Sequence, residues 1–280
     1  MSDSPIFLIG AARSGTKFLR DCLRADQRVV GVPYDINYIW RYGQTDADHD
    51  VLVPGSVGEK QARFIRKTIH QQARFKDGNI LLEKTVSNSL RAPFVESIFP
   101  DARYVHLVRD GRDVALSAMK EWTAPPDYRR LREKLLRLPL SSIPYLFWYL
   151  RNSVLKGTDQ STGRVKVWGP RYPGIDADAK NRSLAHVCAI QWQQSVTRAK
   201  IDLATLDPMR VFTIRYEDLV SDRAPIVRLA EALNLDSAAI AEKWEATLSP
   251  GGKRKLNLDQ QAALEEIKAV LSDDLRALGY

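Results

Sequence analysis

The segment from Ile6 to Leu19, IFLIGAARSGTKFL, joins a short apolar run to a glycine-containing turn and then to apolar residues at helical spacing. Ile6 to Ile9 is typical of a buried strand, and Phe18 with Leu19 begins a helical pattern. A turn between a strand and a helix points several backbone N–H groups and the positive end of the helix dipole at one anion. The segment therefore predicts a phosphate-binding loop over Gly10 to Gly15.

The rest of the chain repeats this alternation of short apolar runs with helical patterns. Further strand-like runs are Val29 to Val32, Ile80 to Leu82, Tyr104 to Val108 and Val211 to Ile214. Continuous apolar runs indicate strands that are covered on both faces, as in parallel sheets. We therefore predict an α/β fold with one five-stranded parallel sheet flanked by helices, in a single domain spanning residues 1–280.

The composition excludes several classes of protein. With 44% hydrophobic residues among 280, the chain can bury a core, which excludes intrinsic disorder. Cys22 and Cys188 are too few for a disulfide framework, and we expect both to be reduced. The sequence shows no signal-peptide pattern, and no run reaches the roughly 18 apolar residues of a membrane-spanning helix. These features predict a cytoplasmic protein.

The net charge of +8 favours an anionic ligand or partner. No zinc-ligand spacing, helix-turn-helix signature or stripe of aromatic and basic residues accompanies this charge, so we expect no nucleic acid partner. No group of histidine, cysteine and carboxylate residues has metal-ligand spacing, so we expect no metal site. A small phosphorylated ligand would use the same surplus of positive charge.

Residues from Trp122 to Asn181 interrupt the alternation with prolines, tryptophans and tyrosines. We interpret them as an insert that forms a lid or part of an acceptor site. Leu138 to Leu155 is the most apolar part, although prolines, serines and Arg151 interrupt it. This part is either a buried helix of the insert or a surface that contacts a membrane or a lipid acceptor.

The first turn nearly fits the nucleoside-triphosphate loop GxxxxGK[ST], because Gly10 and Gly15 have its spacing. Lysine and threonine stand in reverse order, as Thr16-Lys17, whereas that loop needs the lysine over the β- and γ-phosphates and the hydroxyl on Mg²⁺. Together with Arg13, these two residues still offer positive charge and a hydroxyl to an anion. The simpler alternative is a tight strand-to-helix turn that binds no ligand.

A second junction between a strand and a helix follows, where RYVHLVRDGRDVALS spans Arg103 to Ser117. Arg109 ends the apolar run, and Ser117 lies about two helical turns into the next helix. This spacing lets a guanidinium and a hydroxyl bind one phosphate together. The acidic and basic residues between them fit ion pairs at the end of the strand.

The two junctions, in this order, resemble the 5′-phosphosulfate loop and the 3′-phosphate motif of the sulfotransferases that use 3′-phosphoadenosine-5′-phosphosulfate. Three more segments resemble that family: EKT at Glu83 to Thr85, FPDAR at Phe99 to Arg103, and RYEDL at Arg215 to Leu219. The resemblance covers most of the chain outside the insert. It implies a P-loop-kinase-like fold and an enzyme that transfers a sulfuryl group from this donor to a hydroxyl acceptor, with no metal.

The resemblance also implies which residues bind the donor: Arg13, Ser14, Gly15, Thr16, Lys17, Phe18, Arg109, Ser117, Tyr216, Lys253 and Arg254. The first five surround the 5′-phosphosulfate, where Arg13 neutralises the bridging oxygen as the sulfuryl group leaves. Arg109 and Ser117 bind the 3′-phosphate, which the two basic residues near the C-terminus reach as well. The two aromatic residues contact the adenine or else belong to the core.

The acceptor hydroxyl must lose its proton to a general base. In the branch of the family that acts on phenols and steroids, the base is the histidine of a KTH motif, but Val86 stands at that position. Other branches place a carboxylate after the second strand, which makes Asp35 the candidate base and Lys84 a second cation at the transferred group. The alternatives are a turn or helix-capping role for Asp35, or a base at Glu83 or at His106, which also fits a core histidine.

The missing histidine and the aromatic insert favour a carbohydrate, glycolipid or small metabolite as acceptor over a phenol or protein tyrosine. Candidate acceptor contacts are Tyr34, Tyr38, Trp40, Trp168, Arg171 and Tyr172. Two alternative functions are a phosphotransferase of the same fold, which would require Mg²⁺, and a nucleotide-binding module without catalytic activity.

Overall fold

The computed structural model describes residues 4–32, 34–44, 48–124, 158–159, 164–165, 168–248 and 256–280. The strands of this part are Ile6–Ile9 (β1), Val29–Gly31 (β2), Ile80–Glu83 (β3), Arg103–Val108 (β4), Thr158–Asp159 (β5), Arg164–Val165 (β6) and Val211–Arg215 (β7). One sheet has five parallel strands in the order β2-β3-β1-β4-β7, and β5 pairs with β6 in an antiparallel ribbon. The predicted five-stranded parallel sheet is confirmed.

The helices are Thr16–Leu23 (α1), Asn37–Trp40 (α2), Glu59–Ala73 (α3), Ala92–Ile98 (α4), Gly111–Thr123 (α5), Ile175–Asn181 (α6), Leu184–Leu203 (α7), Tyr216–Ser221 (α8), Ala224–Ala232 (α9), Ser237–Thr247 (α10) and Leu258–Ala277 (α11). Short 3-10 turns span Val86–Leu90 and Pro208–Arg210. None of the described helices is long and apolar enough to span a membrane.

The central strand, β1, explains why the strand runs are continuously apolar. All four of its residues are buried, and the strand pairs with β3 on one side and β4 on the other. Phe7 and Ile9 pack into the core cluster that contains Trp40. Ile6 and Leu8 pack into the cluster on the opposite face. Both faces of the strand are therefore covered by apolar layers.

A third core cluster lies among α5, α7 and α11 and includes Trp192 and Leu271. Tyr172 and Ile175, from the C-terminal part of the predicted insert, are buried in the same cluster. That part of the insert is therefore integrated into the core. The segment from Leu138 to Leu155, for which we predicted a buried helix or a membrane contact, lies outside the described residues.

Candidate functional site

The carboxyl ends of the five parallel strands carry the predicted site residues. Gly10 to Gly15 follow β1, Asp35 follows β2, Lys84 follows β3, Arg109 follows β4 and Tyr216 follows β7. Because parallel strands end at the same edge of a sheet, these residues lie along one edge, where ligands bind in open α/β sheets. The central position of β1 puts the predicted phosphate loop in the middle of that edge.

The loop after β1 approaches its neighbours closely at both of its glycines. A Cβ on Gly10 would lie 2.7 Å from the carbonyl oxygen of Leu107 on β4. Gly15 has a φ of 91°, and a Cβ there would lie 2.4 Å from the ring of Tyr216. Arg13 also adopts a positive φ, 74°, which is uncommon for a residue with a side chain. The loop geometry therefore needs glycine at positions 10 and 15.

Ser14 lies inside this loop with its side chain fully buried. Its Oγ has no hydrogen-bond partner among the described residues, although buried hydroxyls are nearly always paired. Thr16, the first residue of α1, is also buried, whereas the Lys17 side chain is 80% exposed. The N-terminus of α1 thus combines an unpaired hydroxyl with a helix dipole, which suits an anionic oxygen.

The two predicted phosphate motifs contact each other directly. Arg13 Nε donates a hydrogen bond to Ser117 Oγ over 3.0 Å, across 104 positions of sequence. Arg13 Nη1 also forms an ion pair with Glu121 Oε1 at 3.1 Å. Arg109 Nη1 donates to the carbonyl oxygen of Arg13 at 3.4 Å. The structure therefore joins the residues predicted for the two ends of one ligand.

Arg109 is oriented by an aromatic ring and by a weak ion pair. Its guanidinium carbon lies 4.1 Å from the centroid of the Tyr216 ring, a cation–π contact. Its Nη2 lies 3.4 Å from Asp113 Oδ2, and its Nε is buried without a partner among the described residues. Tyr216 and Phe18 are both half-buried against the same core cluster, so each presents part of its ring to the core.

Sequence reasoning missed the residues that hold the second motif in place. Trp192 Nε1 on α7 donates to the carbonyl oxygen of Arg109 at 3.1 Å. Glu217 Oε1 accepts a hydrogen bond from the backbone N–H of Asp110 at 3.0 Å, and its Oε2 accepts one from Tyr280 at 2.8 Å. The apolar stripe of α7 indicates only that Trp192 is a core residue, so no signal in the sequence could have revealed this bond.

Asp35, the candidate base, is half-buried beside the 3-10 turn that follows β3. Its Oδ1 accepts a hydrogen bond from the backbone N–H of Asn37 at 3.1 Å, and its Oδ2 accepts one from that of Val86 at 3.0 Å. Of the turn and capping roles considered from the sequence, these bonds support the turn role, because the N-cap residue of α2 is Ile36. The same bonds place the carboxylate against Val86, and Lys84 is half-buried at the end of β3.

The two alternative bases are buried. Glu83 is fully buried and accepts hydrogen bonds from Thr85 Oγ1 at 2.5 Å and Asn88 Nδ2 at 2.9 Å. Burial raises the pKa of Glu83 to about 7, the Thr85 hydrogen bond opposes the rise, and the negative charge of Asp35 adds to it. His106 is buried within β4, and burial lowers its pKa to about 4. Both therefore belong to the interior rather than to an open acceptor surface.

The candidate acceptor contacts differ in exposure. Trp40 is fully buried, with its ring 5.8 Å from that of Phe7 and 6.5 Å from that of Phe94, so its prediction as an acceptor contact is wrong. Tyr38, Arg171 and Tyr172 are also buried, while Tyr34 and Trp168 are half-buried.

Lys253 and Arg254, predicted at the donor, lie outside the described residues. Among the residues that are described, no three His, Cys, Asp or Glu side chains group as a metal site would need.

A five-stranded parallel sheet has a glycine-containing loop between its central strand and the next helix, and a second strand-to-helix junction on the neighbouring strand. This arrangement defines a P-loop-like α/β fold. A model of the sulfotransferase family matches residues 5–151, which is more than half of the 280 residues. The chain belongs to the sulfotransferase family. No curated protein matches it.

Solved structures with a similar fold are also sulfotransferases. One, from Alicyclobacillus acidocaldarius, has a TM-score of 0.52 and 16% identity, over 98% of this chain and 93% of its own. A second, from Mycobacterium avium, has a TM-score of 0.51 and 13% identity, over 99% of this chain and 77% of its own. At these identities the likeness shows the fold alone.

Proposed function

We propose that the protein transfers a sulfuryl group from 3′-phosphoadenosine-5′-phosphosulfate to a hydroxyl group of a carbohydrate or glycolipid. One observation carries the choice of donor: the 3.0 Å hydrogen bond from Arg13 to Ser117, which brings the loop after β1 and the helix that follows β4 into direct contact. A donor with a phosphosulfate at one end and a phosphate at the other matches two adjoining anion sites.

The residues present fit this donor. Ser14 Oγ and Arg109 Nε are buried polar atoms without partners in the described part of the chain, and a ligand oxygen at each would satisfy them. Ser14 to Lys17 would hold the 5′ end, and Arg109 with Ser117 would hold the 3′-phosphate. When bound, the donor supplies a sulfur atom whose bond to a phosphate oxygen can break.

Sulfuryl transfer breaks that S–O bond and forms a new S–O bond to the acceptor oxygen, whose proton passes to a base. Arg13 would stabilise the negative charge that develops on the bridging oxygen, and Lys84 would do so at the transferred group. Arg13 donates to Ser117 and pairs with Glu121, so its guanidinium lies beside the hydroxyl that would hold the 3′-phosphate. Positive charge is thus available where the reaction generates negative charge.

Asp35 is the base in this proposal. Its Oδ2 lies 3.0 Å from the backbone nitrogen of Val86, the position that holds a histidine in the phenol and steroid branch. Each carboxylate oxygen has a second lone pair that its backbone hydrogen bond leaves open. A carboxylate at this place, instead of a histidine, is what supports a carbohydrate or glycolipid acceptor.

The test is to incubate the protein with donor that carries radiolabelled sulfur and with separate polysaccharide, glycolipid and phenol fractions of a cell extract. We expect label in the polysaccharide or glycolipid fraction, and none with Asp35→Asn. Transfer that goes to phenols instead would overturn the acceptor class. Phosphate transfer from a nucleoside triphosphate that depends on Mg²⁺ would identify the protein as a phosphotransferase.

A further inference from the structure

We infer that Asp50 is a positioning residue that fixes the acceptor side of the site, by joining the loop of Asp35, the turn after Lys84 and the segment around Arg171 into one unit. The inference rests on the proposed function, because that proposal gives Asp35 and Lys84 their roles. Nothing in the sequence motifs singles out Asp50, which lies between α2 and α3.

Asp50 is completely buried, yet it is surrounded by hydrogen-bond donors. Its Oδ1 accepts from Asn37 Nδ2 at 2.9 Å, and Arg41 Nη1 lies 3.5 Å from the same oxygen. Its Oδ2 accepts from Ser87 Oγ at 2.8 Å and from the backbone N–H of Arg171 at 2.9 Å. The Asp50 backbone N–H donates in turn to the carbonyl oxygen of Arg171 at 2.7 Å. One carboxylate therefore ties together three segments that are far apart in sequence.

Two of these segments supply the hydrogen bonds that hold Asp35. Asn37 donates its backbone N–H to Asp35 Oδ1 and its side chain to Asp50. Val86 donates its backbone N–H to Asp35 Oδ2, and the next residue, Ser87, bonds to Asp50. Both restraints on the candidate base therefore depend on residues that Asp50 fixes.

The network continues from Asn37 to the end of β3. Arg91, also completely buried, donates from Nη2 to Asn37 Oδ1 at 2.7 Å and from Nε to Asn88 Oδ1 at 2.9 Å. Asn88 Nδ2 donates to Glu83, which directly precedes Lys84. Burial lowers the pKa of Arg91, and the negative charge of Asp50 is the largest opposing influence. The charge of Asp50 therefore stabilises the cation that links the loop of Asp35 to the strand of Lys84.

The third segment is the one around Arg171, in the C-terminal part of the predicted insert. Arg171 donates its backbone N–H to the Asp50 carboxylate and accepts the Asp50 backbone N–H at its carbonyl oxygen. The Arg171 side chain donates to the carbonyl oxygen of Asp48 at 2.7 Å. Gln191 Nε2 on α7 donates to the carbonyl oxygen of Pro170 at 2.8 Å. Half-buried Trp168, a candidate acceptor contact, lies at the start of this segment. Asp50 thus connects the segment that contains Trp168 to the loop of the candidate base.

Asp50→Asn is the test variant, and Asp26→Asn is its matched control. Asparagine keeps the volume of the side chain but removes its charge and replaces one acceptor oxygen with a donor. Asp26 is a similarly buried carboxylate, which accepts from the backbone N–H of Arg28 at 2.8 Å and of Asp236 at 2.9 Å. It precedes β2, so it lies toward the end of the sheet opposite the site.

The first measurement is hydrogen–deuterium exchange with 3′-phosphoadenosine-5′-phosphate present. In Asp50→Asn we expect residues 34–41, 84–91 and 168–172 to exchange together at least about tenfold faster, with residues 10–17 and 109–117 unchanged. Asp26→Asn should change only the segments around positions 26 and 236. Faster exchange throughout the protein, or only at residues 48–52, would overturn the inference.

The second measurement is a double-mutant cycle with Asp35→Asn, using methyl glycosides as acceptors. If Asp50 acts through Asp35, Asp50→Asn should lower turnover about tenfold in the otherwise unchanged protein and less than about twofold in Asp35→Asn. Equal losses in both backgrounds would show a purely structural role and would overturn the inference. If Asp50→Asn does not fold, Ser87→Ala replaces it, with a smaller increase in exchange at residues 34–41 and 84–91.

The two proposals fail in different ways. A protein that does not bind 3′-phosphoadenosine-5′-phosphate contradicts the proposed function, while the exchange pattern still decides whether Asp50 joins the three segments. A protein that binds this nucleotide and transfers sulfuryl groups, but shows no joint change in the three segments, contradicts the role of Asp50 alone.

Discussion

The donor side and the acceptor side of the site are built in opposite ways. On the donor side, Ser14 Oγ and Arg109 Nε are buried without partners in the described part of the chain, and the Arg13 side chain is 45% exposed. On the acceptor side, each oxygen of Asp50 accepts hydrogen bonds from other residues of the protein. Polar atoms left unpaired suit a ligand of fixed chemistry, whereas a carboxylate with both oxygens bonded holds the surrounding segments in place.

This difference indicates what each side would contribute to binding and to turnover. In the proposed function, the donor side would bind by direct contact with charges and hydroxyls that the ligand completes. The acceptor side would rely on positioning, because Asp50 and Arg91 are fully buried and bond to residues that surround the candidate base. Substitutions on the donor side should therefore change affinity, and substitutions on the acceptor side should change turnover.

The largest effect is expected for Asp35→Asn, the variant that removes the candidate base. Turnover should fall by about a hundred- to ten-thousandfold, the range for loss of general base catalysis, with the affinity for 3′-phosphoadenosine-5′-phosphate unchanged. Steady-state kinetics and calorimetry measure the two quantities. Asp48→Asn is the control, because Asp48 is exposed in the same region. Full activity of Asp35→Asn would leave Asp35 with a structural role in its turn alone.

Arg109→Ala tests the donor side, where affinity should change. Hydrogen bonds to charged groups contribute about 1.5–3 kcal/mol, so the affinity for 3′-phosphoadenosine-5′-phosphate should fall by roughly a hundredfold. Adenosine-5′-phosphosulfate, which lacks the 3′-phosphate, should bind almost as before. Calorimetry measures the affinity for each ligand. An equal loss of affinity for the two ligands would contradict the assignment of Arg109 to the 3′-phosphate. Arg112→Ala is the control, because Arg112 pairs with Asp110 at 2.6 Å beside the same strand end.

Glu83 should make the stability of the acceptor side depend on pH. Burial raises its pKa from 4.5 to about 7, so between these values the native state holds a proton that the unfolded state releases. The resulting stabilisation is present at low pH and is lost as pH rises toward 7, by about 2 kcal/mol between pH 5 and pH 7. Burial of His106, which lowers its pKa to about 4, contributes with the opposite sign, so the prediction concerns the difference between proteins. From pH 5 to pH 7, the unfolding free energy measured with denaturant should change by about 2 kcal/mol more favourably in Glu83→Gln than in the unchanged protein and in Glu59→Gln. Equal changes in the three proteins would assign the effect to another group.

Gly15→Ala should give the smallest effect of the four. The substitution places a Cβ at a φ of 91° and 2.4 Å from the Tyr216 ring, and a positive φ costs about 1–2 kcal/mol for a residue with a side chain. We expect about tenfold weaker binding of 3′-phosphoadenosine-5′-phosphate. Gly174→Ala is a close control, because Gly174 has a φ of 90° with nothing within 4 Å of its Cβ position. It should lose stability only, and equal loss of affinity in both variants would mean that the loop binds no phosphate.

The strands were predictable from sequence because each is buried on both faces, which leaves a continuous apolar run. Helices α3 and α10 were not predictable from sequence, because each places few apolar side chains in the core. In α3 these are Ile65, Ile69 and Ala73, beside the buried hydroxyl of Thr68, and in α10 they are Ile240, Ala241 and Trp244. A pattern this sparse does not stand out from a polar loop.

The two sides of the site also differ in how far the sequence alone reveals their residues. The predicted donor residues lie mostly in two contiguous motifs, so local spacing was enough to select them. The prediction that Trp40 contacts an acceptor was wrong, because residue type does not reveal which aromatic rings the core covers. The link from Asp50 to Arg171 spans 121 positions, and nothing in the sequence around either residue points to the other.

The sequence by itself determined the glycine-containing turn between β1 and α1, since a strand, a turn with two glycines and a helix start depend on neighbouring residues alone. It also determined that the sheet is parallel, since the apolar runs are continuous. The tertiary structure decided which motifs meet. Because β1 pairs with β4, Arg13 reaches Ser117, and because α2, the turn after β3 and the segment around Arg171 pack together, a buried carboxylate can hold the acceptor side. Such contacts depend on how distant segments pack, which local sequence patterns do not encode.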